Sequence, residues 1–408
     1  MSAVREGSAG AERARAGAGA SALFGRGRVV VCVGCGGVGK TTVAAALGLE
    51  AARRGRRALV LTIDPARRLA DALGVEALGN RPQAIPRAEL DRLGAPAPGA
   101  LSAVMLDMKR TFDDLVARFA ESDAARERIL GNPIYQHVSE ALAGSVEYSA
   151  MEKVYELWEQ GEHEVFVVDT PPAQHALDFL EAPQRLLEFL DSRLVQMLIH
   201  PAFAAGRVGF RLFQSGARRA LQLMERVSGI GFLEDLSEFL LAFEGMSAGF
   251  RQRAARVRGL LLGPEAEFVL VAGPGGESLR QATGLRRRLE GYGVRLAGTV
   301  VNRVRTWPGA SAPPALDGAE ADLPRLERAL AAQGDAASAP AAARAALAAA
   351  RGYAALVLHD AQATAGLEAA MREQGGFFRA IPELASDVHD LAGLARVGEA
   401  LFAEERQT

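Results

Sequence analysis

Residues 29–42 read Val29-Val30-Val31-Cys32-Val33-Gly34-Cys35-Gly36-Gly37-Val38-Gly39-Lys40-Thr41-Thr42. Five apolar, mostly β-branched residues run straight into glycines, and Gly34–Thr41 matches the pattern GxxxxGK[ST] completely. In this pattern the glycines let backbone N–H groups converge on phosphate oxygens without Cβ clashes. The helix that follows adds its partial positive end. Lys40 is expected to reach the β- and γ-phosphates, and Thr41 to offer its hydroxyl to Mg²⁺. Gly36, Gly37, Val38, Gly39 and Thr42 complete the predicted phosphate-binding set, and the ligand it predicts is Mg·ATP.

Outward from the loop, Thr41–Arg54 carries a helical pattern that stops at Gly55, and Ala58–Ile63 is a second apolar run. Strand, loop, helix, strand is the start of a parallel sheet with crossover helices. Leu101–Leu106, Val165–Asp169, Phe268–Ala272, Leu296–Val301 and Phe377–Ile381 read as further strands, apolar enough to be buried on both faces. The fold class is therefore α/β, a P-loop NTPase with a mostly parallel central sheet flanked by helices and an inserted helical subdomain. Helical insertions are predicted at about 109–160 and 173–262. Trp307–Asp322 reads as a loop, and Pro340 as the start of an Ala-rich helix ending near Gly375. Residues 1–27, rich in Gly, Ala, Ser and Arg, read as a disordered tail, and 28–408 as one nucleotide-binding domain.

Hydrolysis needs a carboxylate for the Mg²⁺ shell and a polar group for the attacking water. Asp169 ends an apolar strand and is followed by the stiff Thr170-Pro171-Pro172. Asp64 ends another strand and precedes Pro65-Ala66-Arg67-Arg68. Either aspartate alone reads equally well as a helix cap. Together, at the carboxyl ends of strands flanking a phosphate loop, they read as catalytic and as Mg²⁺ ligands, partly through water.

Bulk properties narrow the rest. The chain has 408 residues, a formal net charge of −2 and 49% hydrophobic residues, so a large core is available and no global basic field favours nucleic acid. No secretory h-region and no membrane-length apolar run is read, which makes a soluble, cytoplasmic protein the expectation. The two cysteines, Cys32 and Cys35, could be a redox pair or half a zinc site. Their positions in a buried strand and the loop, without a second pair, favour neither.

These motifs resemble those of the ArsA-type ATPases, which include the arsenite-efflux ATPase and the ATPase that delivers tail-anchored membrane proteins. GCGGVGKTT resembles the family's deviant Walker A loop, and LTIDPARRLADALG its switch I. VVDTPPAQHALDFLEAP resembles switch II, GTVVNRV the strand whose Asn recognises adenine, and AIPELASDVHDLAGLARVGEAL the adenine loop and last helix. The resemblance runs from about Arg28 to Phe402. It implies that Asp64 activates water, that Asp169 stands near Mg²⁺, that Lys40, Thr41 and Thr42 bind phosphates and Mg²⁺, and that Asn302 pairs with adenine. It places the backbone near Ile381, Pro382 and Glu383 over the base. It also implies a dimer, with itself or with a paralogue.

The departures are specific. Cys35 stands where the family has a Lys that reaches the partner's phosphates, and Arg67-Arg68 replace its His-Asn after DPA. The efflux ATPase's arsenite-binding cysteines and the tail-anchored-protein ATPase's zinc CxxC have no counterparts. The chain looks closest to a bacterial branch without the first Lys. One of Arg67 and Arg68 could take over part of the lost Lys role, or both could sit in solvent or pair with Asp71. The Leu-, Phe- and Met-rich stretch 186–250 could form a groove for an apolar client helix or pack as a helical core. The functional expectations are a nucleotide-switched ATPase that targets apolar clients, the energising subunit of an anion transporter, or a weakly hydrolysing regulatory module.

Overall fold

The computed structural model describes residues 19–25, 28–64, 68–96, 98–120, 122–136 except 134, 146–171, 251–309 except 295, 312–403 except 335, and isolated positions between 181 and 249. Among them an eight-stranded sheet has the order β3-β4-β2-β5-β1-β6-β7-β8. The strands are β1 (Arg28–Gly34), β2 (Arg57–Thr62), β3 (Gln83–Ala84), β4 (Ala100–Met105), β5 (Val165–Asp169), β6 (Ala266–Ala272), β7 (Leu296–Val304) and β8 (Phe377–Pro382). All pairings are parallel except β3 with β4. The α/β P-loop architecture expected from the sequence is the one observed. The short β3 has no apolar run and was not foreseen.

Between strands lie α1 (Lys40–Arg53), α2 (Arg68–Leu73), α3 (Arg87–Arg92), α4 (Met108–Phe119), α5 (Asp123–Gly131), α6 (Val146–Gln160), α7 (Gly276–Gly291), α8 (Leu323–Ala331), α9 (Ala339–Glu373) and α10 (Leu391–Leu401). The first predicted helical insertion contains α4, α5 and α6. Of the second, residues 251–262 are helical. The rest of it, with the Leu-, Phe- and Met-rich 186–250, lies almost wholly outside the described residues.

The sheet is dry. Val29 to Val33 and Val165, Val167 and Val168 have no solvent exposure. Helix α1 is buried nearly all round because it lies between the sheet and α10, and its Ala and Gly residues allow that closeness. Gly48 shows the tightness: a Cβ there would sit 2.3 Å from a methyl of Val60. The one acid on α1, Glu50, is buried and held by Arg53 and Arg54, each at 2.6 Å.

Two expectations change. Part of the stretch read as a disordered tail is packed: Ala20–Phe24 form a 3-10 turn with Leu23 and Phe24 buried. Phe24 and Phe402 lie 5.3 Å apart, and the Arg54 guanidinium stacks 3.9 Å from the Phe402 ring. Two aromatic residues and a cation thus tie both ends of the domain to α1, which composition alone did not signal. Second, α9, at 35 residues, is long and apolar enough by length and composition to cross a membrane. Alanine produces that composition. One stripe of α9, including Val357, Leu367 and Met371, is buried, and so is its Asp360, which accepts from the backbone N–H of Arg305 at 3.1 Å.

Candidate functional site

The site forms where the parallel strands end, as expected for a sheet of this kind. At the carboxyl end of β1 the chain turns through Gly37 (φ 76°) and Gly39 (φ 89°) into α1. Gly39 is doubly required. Its φ lies in the left-handed region, and a Cβ on it would stand 2.2 Å from Nδ2 of Asn302. That amide donates to the Val38 carbonyl at 2.9 Å, tying the loop to β7. Lys40 is buried, and its Nζ donates to the Cys35 carbonyl at 2.8 Å across the loop. Burial lowers the Lys40 pKa, while Asp169 opposes that effect.

Asp169 is the electrostatic centre. β2 and β5 are in register so that Thr62 and Asp169 are paired, and Asp169 also pairs with Cys32 of β1. Its Oδ2 accepts from the hydroxyls of Thr41 at 2.7 Å and Thr62 at 2.9 Å. Its Oδ1 is buried with no hydrogen-bond partner among the described residues. Burial raises the Asp169 pKa, against the Thr41 and Thr62 hydrogen bonds and the charge of Lys40. Thr62 Oγ1 also accepts from the Asp64 backbone N–H at 3.2 Å. The Asp64 carboxylate pairs with Arg68 at 3.3 Å.

These groups face a cavity of about 1080 Å³. Of the predicted residues, Gly36, Gly37, Gly39, Lys40, Thr41, Thr42, Asp64, Asp169, Asn302 and Pro382 line it. Val38 and Ile381 do not. Val38 serves the site through its carbonyl, and Ile381, next to Pro382 in the chain, is buried at 1% exposure. Arg67 lies outside the described residues, whereas Arg68 lines the cavity. Sequence reasoning missed Arg303, which lines the cavity at φ 62°, a conformation uncommon for a residue with a side chain. It sits in the register shift between Val301 and Val304, where β7 breaks step with β8. Asp387 and His389, in the segment that leads to α10, were also missed as lining residues.

The residues fit a magnesium ion. A hard cation of this kind takes oxygen ligands and is commonly held by one or two carboxylates together with substrate phosphates. The partnerless Oδ1 of Asp169 beside the Thr41 hydroxyl supplies such oxygens, and Asp64 lies within the same cavity. The cysteines do not fit a redox or metal role. Both are free and buried, and burial raises both thiols above their ordinary range, which keeps them protonated. The Cys35 thiol faces the Ser278 carbonyl at 3.8 Å, and Cys35 is not among the residues lining the cavity.

Comparison with known proteins bears on this geometry. An uncharacterised Streptomyces coelicolor protein is 33% identical over 181 residues, 44% of this chain and 42% of that protein. A Halobacterium salinarum protein named as an arsenical pump-driving ATPase is 30% identical over 174 residues, 40% of this chain and 25% of that protein. The ATPase GET3 of Chaetomium globosum is 30% identical over 153 residues, 38% of this chain and 42% of that protein. Each match spans less than half the length of the relative. A family model described as an anion-transporting ATPase matches residues 27–307, well over half of the chain. With the parallel sheet, the phosphate loop and the paired Thr62 and Asp169 already in place, the chain belongs to the anion-transporting ATPase (ArsA) family.

Proposed function

We propose that the protein is a Mg²⁺-dependent ATPase whose nucleotide state switches the segment after β2, and that it works as a dimer with itself or with a paralogue. The observation that carries this reading is Asp169. A buried carboxylate with one oxygen held by two hydroxyls and the other without a partner is costly unless something binds there. Magnesium, when bound, would neutralise charge on the β- and γ-phosphates. The chain's own groups do the rest. The loop's N–H groups and Lys40 hold the phosphates, Thr41 and Asp169 hold the metal, and Asp64 orients water and takes its proton. Asn302 and the segment from Pro382 enclose the base. The test is ATP turnover by the purified protein with and without Mg²⁺, beside Lys40→Ala. Turnover that is independent of both magnesium and Lys40 would overturn the reading.

For the use made of ATP, we favour delivery of apolar membrane-protein segments. The support is the Leu-, Met- and Phe-rich stretch 186–250 and the similarity to a GET3 ATPase. Capture of a tail-anchored segment in the ATP-trapped but not the nucleotide-free state tests it. Energising an anion transporter is the alternative, supported by the relative named as an arsenical pump-driving ATPase and opposed by the lack of cysteines other than Cys32 and Cys35. A second reading, an ATP-holding module that hydrolyses slowly, is favoured by Cys35, whose thiol is turned to Ser278 and brings no cation to the cavity.

A further inference from the structure

The cavity contains cationic side chains that the loop motif does not account for. Among the described residues lining it, Arg68 and Arg303 are present besides Lys40. Their places differ. Arg303 directly follows Asn302 at the end of β7, on the side where the base is expected. Arg68 opens α2 and lies 3.3 Å from the Asp64 carboxylate. Asp64 is joined through the Thr62 hydroxyl to Asp169. Arg68 therefore stands at the phosphate end. It is also free to move, since its side chain is 68% exposed and that of Asp64 33%.

We propose that Arg68 is the cation that meets the charge developing on the γ-phosphate, and that its ion pair with Asp64 is the resting form of this device. The proposal rests on the ATPase reading above. In the resting pair the guanidinium and the carboxylate occupy each other. An exposed pair of this kind is weak, because water screens it and two side chains must be ordered to hold it. A bound triphosphate brings a denser negative charge to the same cavity and draws Arg68 away. The planar guanidinium can then donate two parallel hydrogen bonds to γ-phosphate oxygens and stays charged throughout. The same movement takes the guanidinium off the Asp64 carboxylate. Water oxygen bonds to the γ-phosphorus as the bond from that phosphorus to the β,γ-bridging oxygen breaks. The electron pair of that bond leaves with ADP, and the proton from water passes to Asp64 and then to solvent. One displacement thus supplies both the cation and the proton acceptor, at a site where Cys35 supplies no charge.

The test uses the full-length protein, Arg68→Ala and Arg68→Lys. Turnover at saturating ATP is measured beside the affinities for ADP and for ADP with aluminium fluoride, a mimic of the transferring phosphoryl group. Arg68→Ala should lower turnover about 10²-fold, the scale for removing one transition-state donor, with KM changed only a few-fold. It should also lose the tighter binding of ADP with aluminium fluoride over ADP alone. Arg68→Lys should recover part of both, since it keeps the charge but not the fork. Unchanged turnover and unchanged preference for the mimic in Arg68→Ala would overturn the proposal. So would a rise in turnover, which would make the pair a brake and nothing more. If the wild-type protein does not hydrolyse ATP, the ATPase reading fails by itself, and the mimic decides about Arg68. Loss of the preference in Arg68→Ala supports the role, and a preference absent from the wild type or kept in the variant ends it.

Discussion

Replacing Asp169 by Asn should make the ligand-free protein more stable and the Mg·nucleotide complex less so. The carboxylate is 1% exposed, its Oδ2 accepts two hydroxyl hydrogen bonds, and its Oδ1 has no partner among the described residues. An unsatisfied buried acceptor costs about 1–3 kcal/mol, and more when charged. Against this, two hydrogen bonds to a charged oxygen become bonds to a neutral one, each losing roughly 1 kcal/mol. The raised pKa of Asp169 says that desolvation outweighs them. The net gain for the neutral side chain is then at most about 1 kcal/mol, or a rise of at most ~2–4 °C in melting temperature. A carboxyl with a raised folded pKa binds more protons folded than unfolded. Wild-type stability without ligand must therefore fall as pH rises from the unfolded value through the folded one, and Asp169→Asn should flatten that fall. Magnesium reverses the order. Mg·ADP at 100 times its dissociation constant adds about 2.7 kcal/mol to the wild type, and a variant without the carboxylate keeps only the metal-independent part. Thermal melts of both proteins in EDTA, in ADP and in Mg·ADP, at several pH values, read all of this. A variant that melts below wild type in EDTA, or that gains the full Mg·ADP shift, refutes the account of Asp169.

Three other changes follow from the same geometry. Asp64→Asn should retain ATP binding and lower turnover by about 10²-fold or more; wild-type turnover would remove Asp64 from the chemistry. Gly39→Ala puts a methyl group 2.2 Å from Asn302 Nδ2 at φ 89°, so it should cost about 1–3 kcal/mol in backbone strain and weaken nucleotide binding, both read by calorimetry. Because burial keeps the Cys32 and Cys35 thiols protonated, a mild oxidant should leave turnover unchanged, and a reversible loss that Cys35→Ser abolishes would show a thiol switch.

The sequence was most informative where local chemistry and fold demand the same residues. An apolar run into GCGGVGKTT has few structural alternatives, and strands buried on both faces announce themselves as apolar runs, as in β1, β5 and β6. Where contacts join distant residues, the sequence was silent. Asn302 is assigned to adenine by resemblance, but nothing in the sequence announces that its amide also holds the Val38 carbonyl, 264 positions away. Nothing in GTVVNRV announces the register shift that carries β7 to Val304 instead of Val301 and turns Arg303 into the left-handed region. The packing of Leu23 and Phe24 was hidden for a related reason. Two apolar residues in a Gly- and Ala-rich stretch look like tail until Phe402 and Arg54 are brought beside them.

How the phosphate end can signal follows from what in it is rigid. The strands beneath the site are buried along most of β1, β2 and β5, and such a close-packed core transmits strain. Oδ2 of Asp169 joins α1 through Thr41 to β2 through Thr62, and the Thr62 hydroxyl holds the first N–H after β2, that of Asp64. A ligand on the opposite oxygen of Asp169 would therefore be linked to the start of the segment beyond β2 through these hydrogen bonds. The side chains able to respond are those water already reaches, Asp64, Arg68 and Asp71, whereas Leu69, Ala70, Ala72 and Leu73 of α2 are anchored in the core. Any response to a ligand on Asp169 would thus fall to exposed side chains that line the cavity, while the buried side of α2 is held in place.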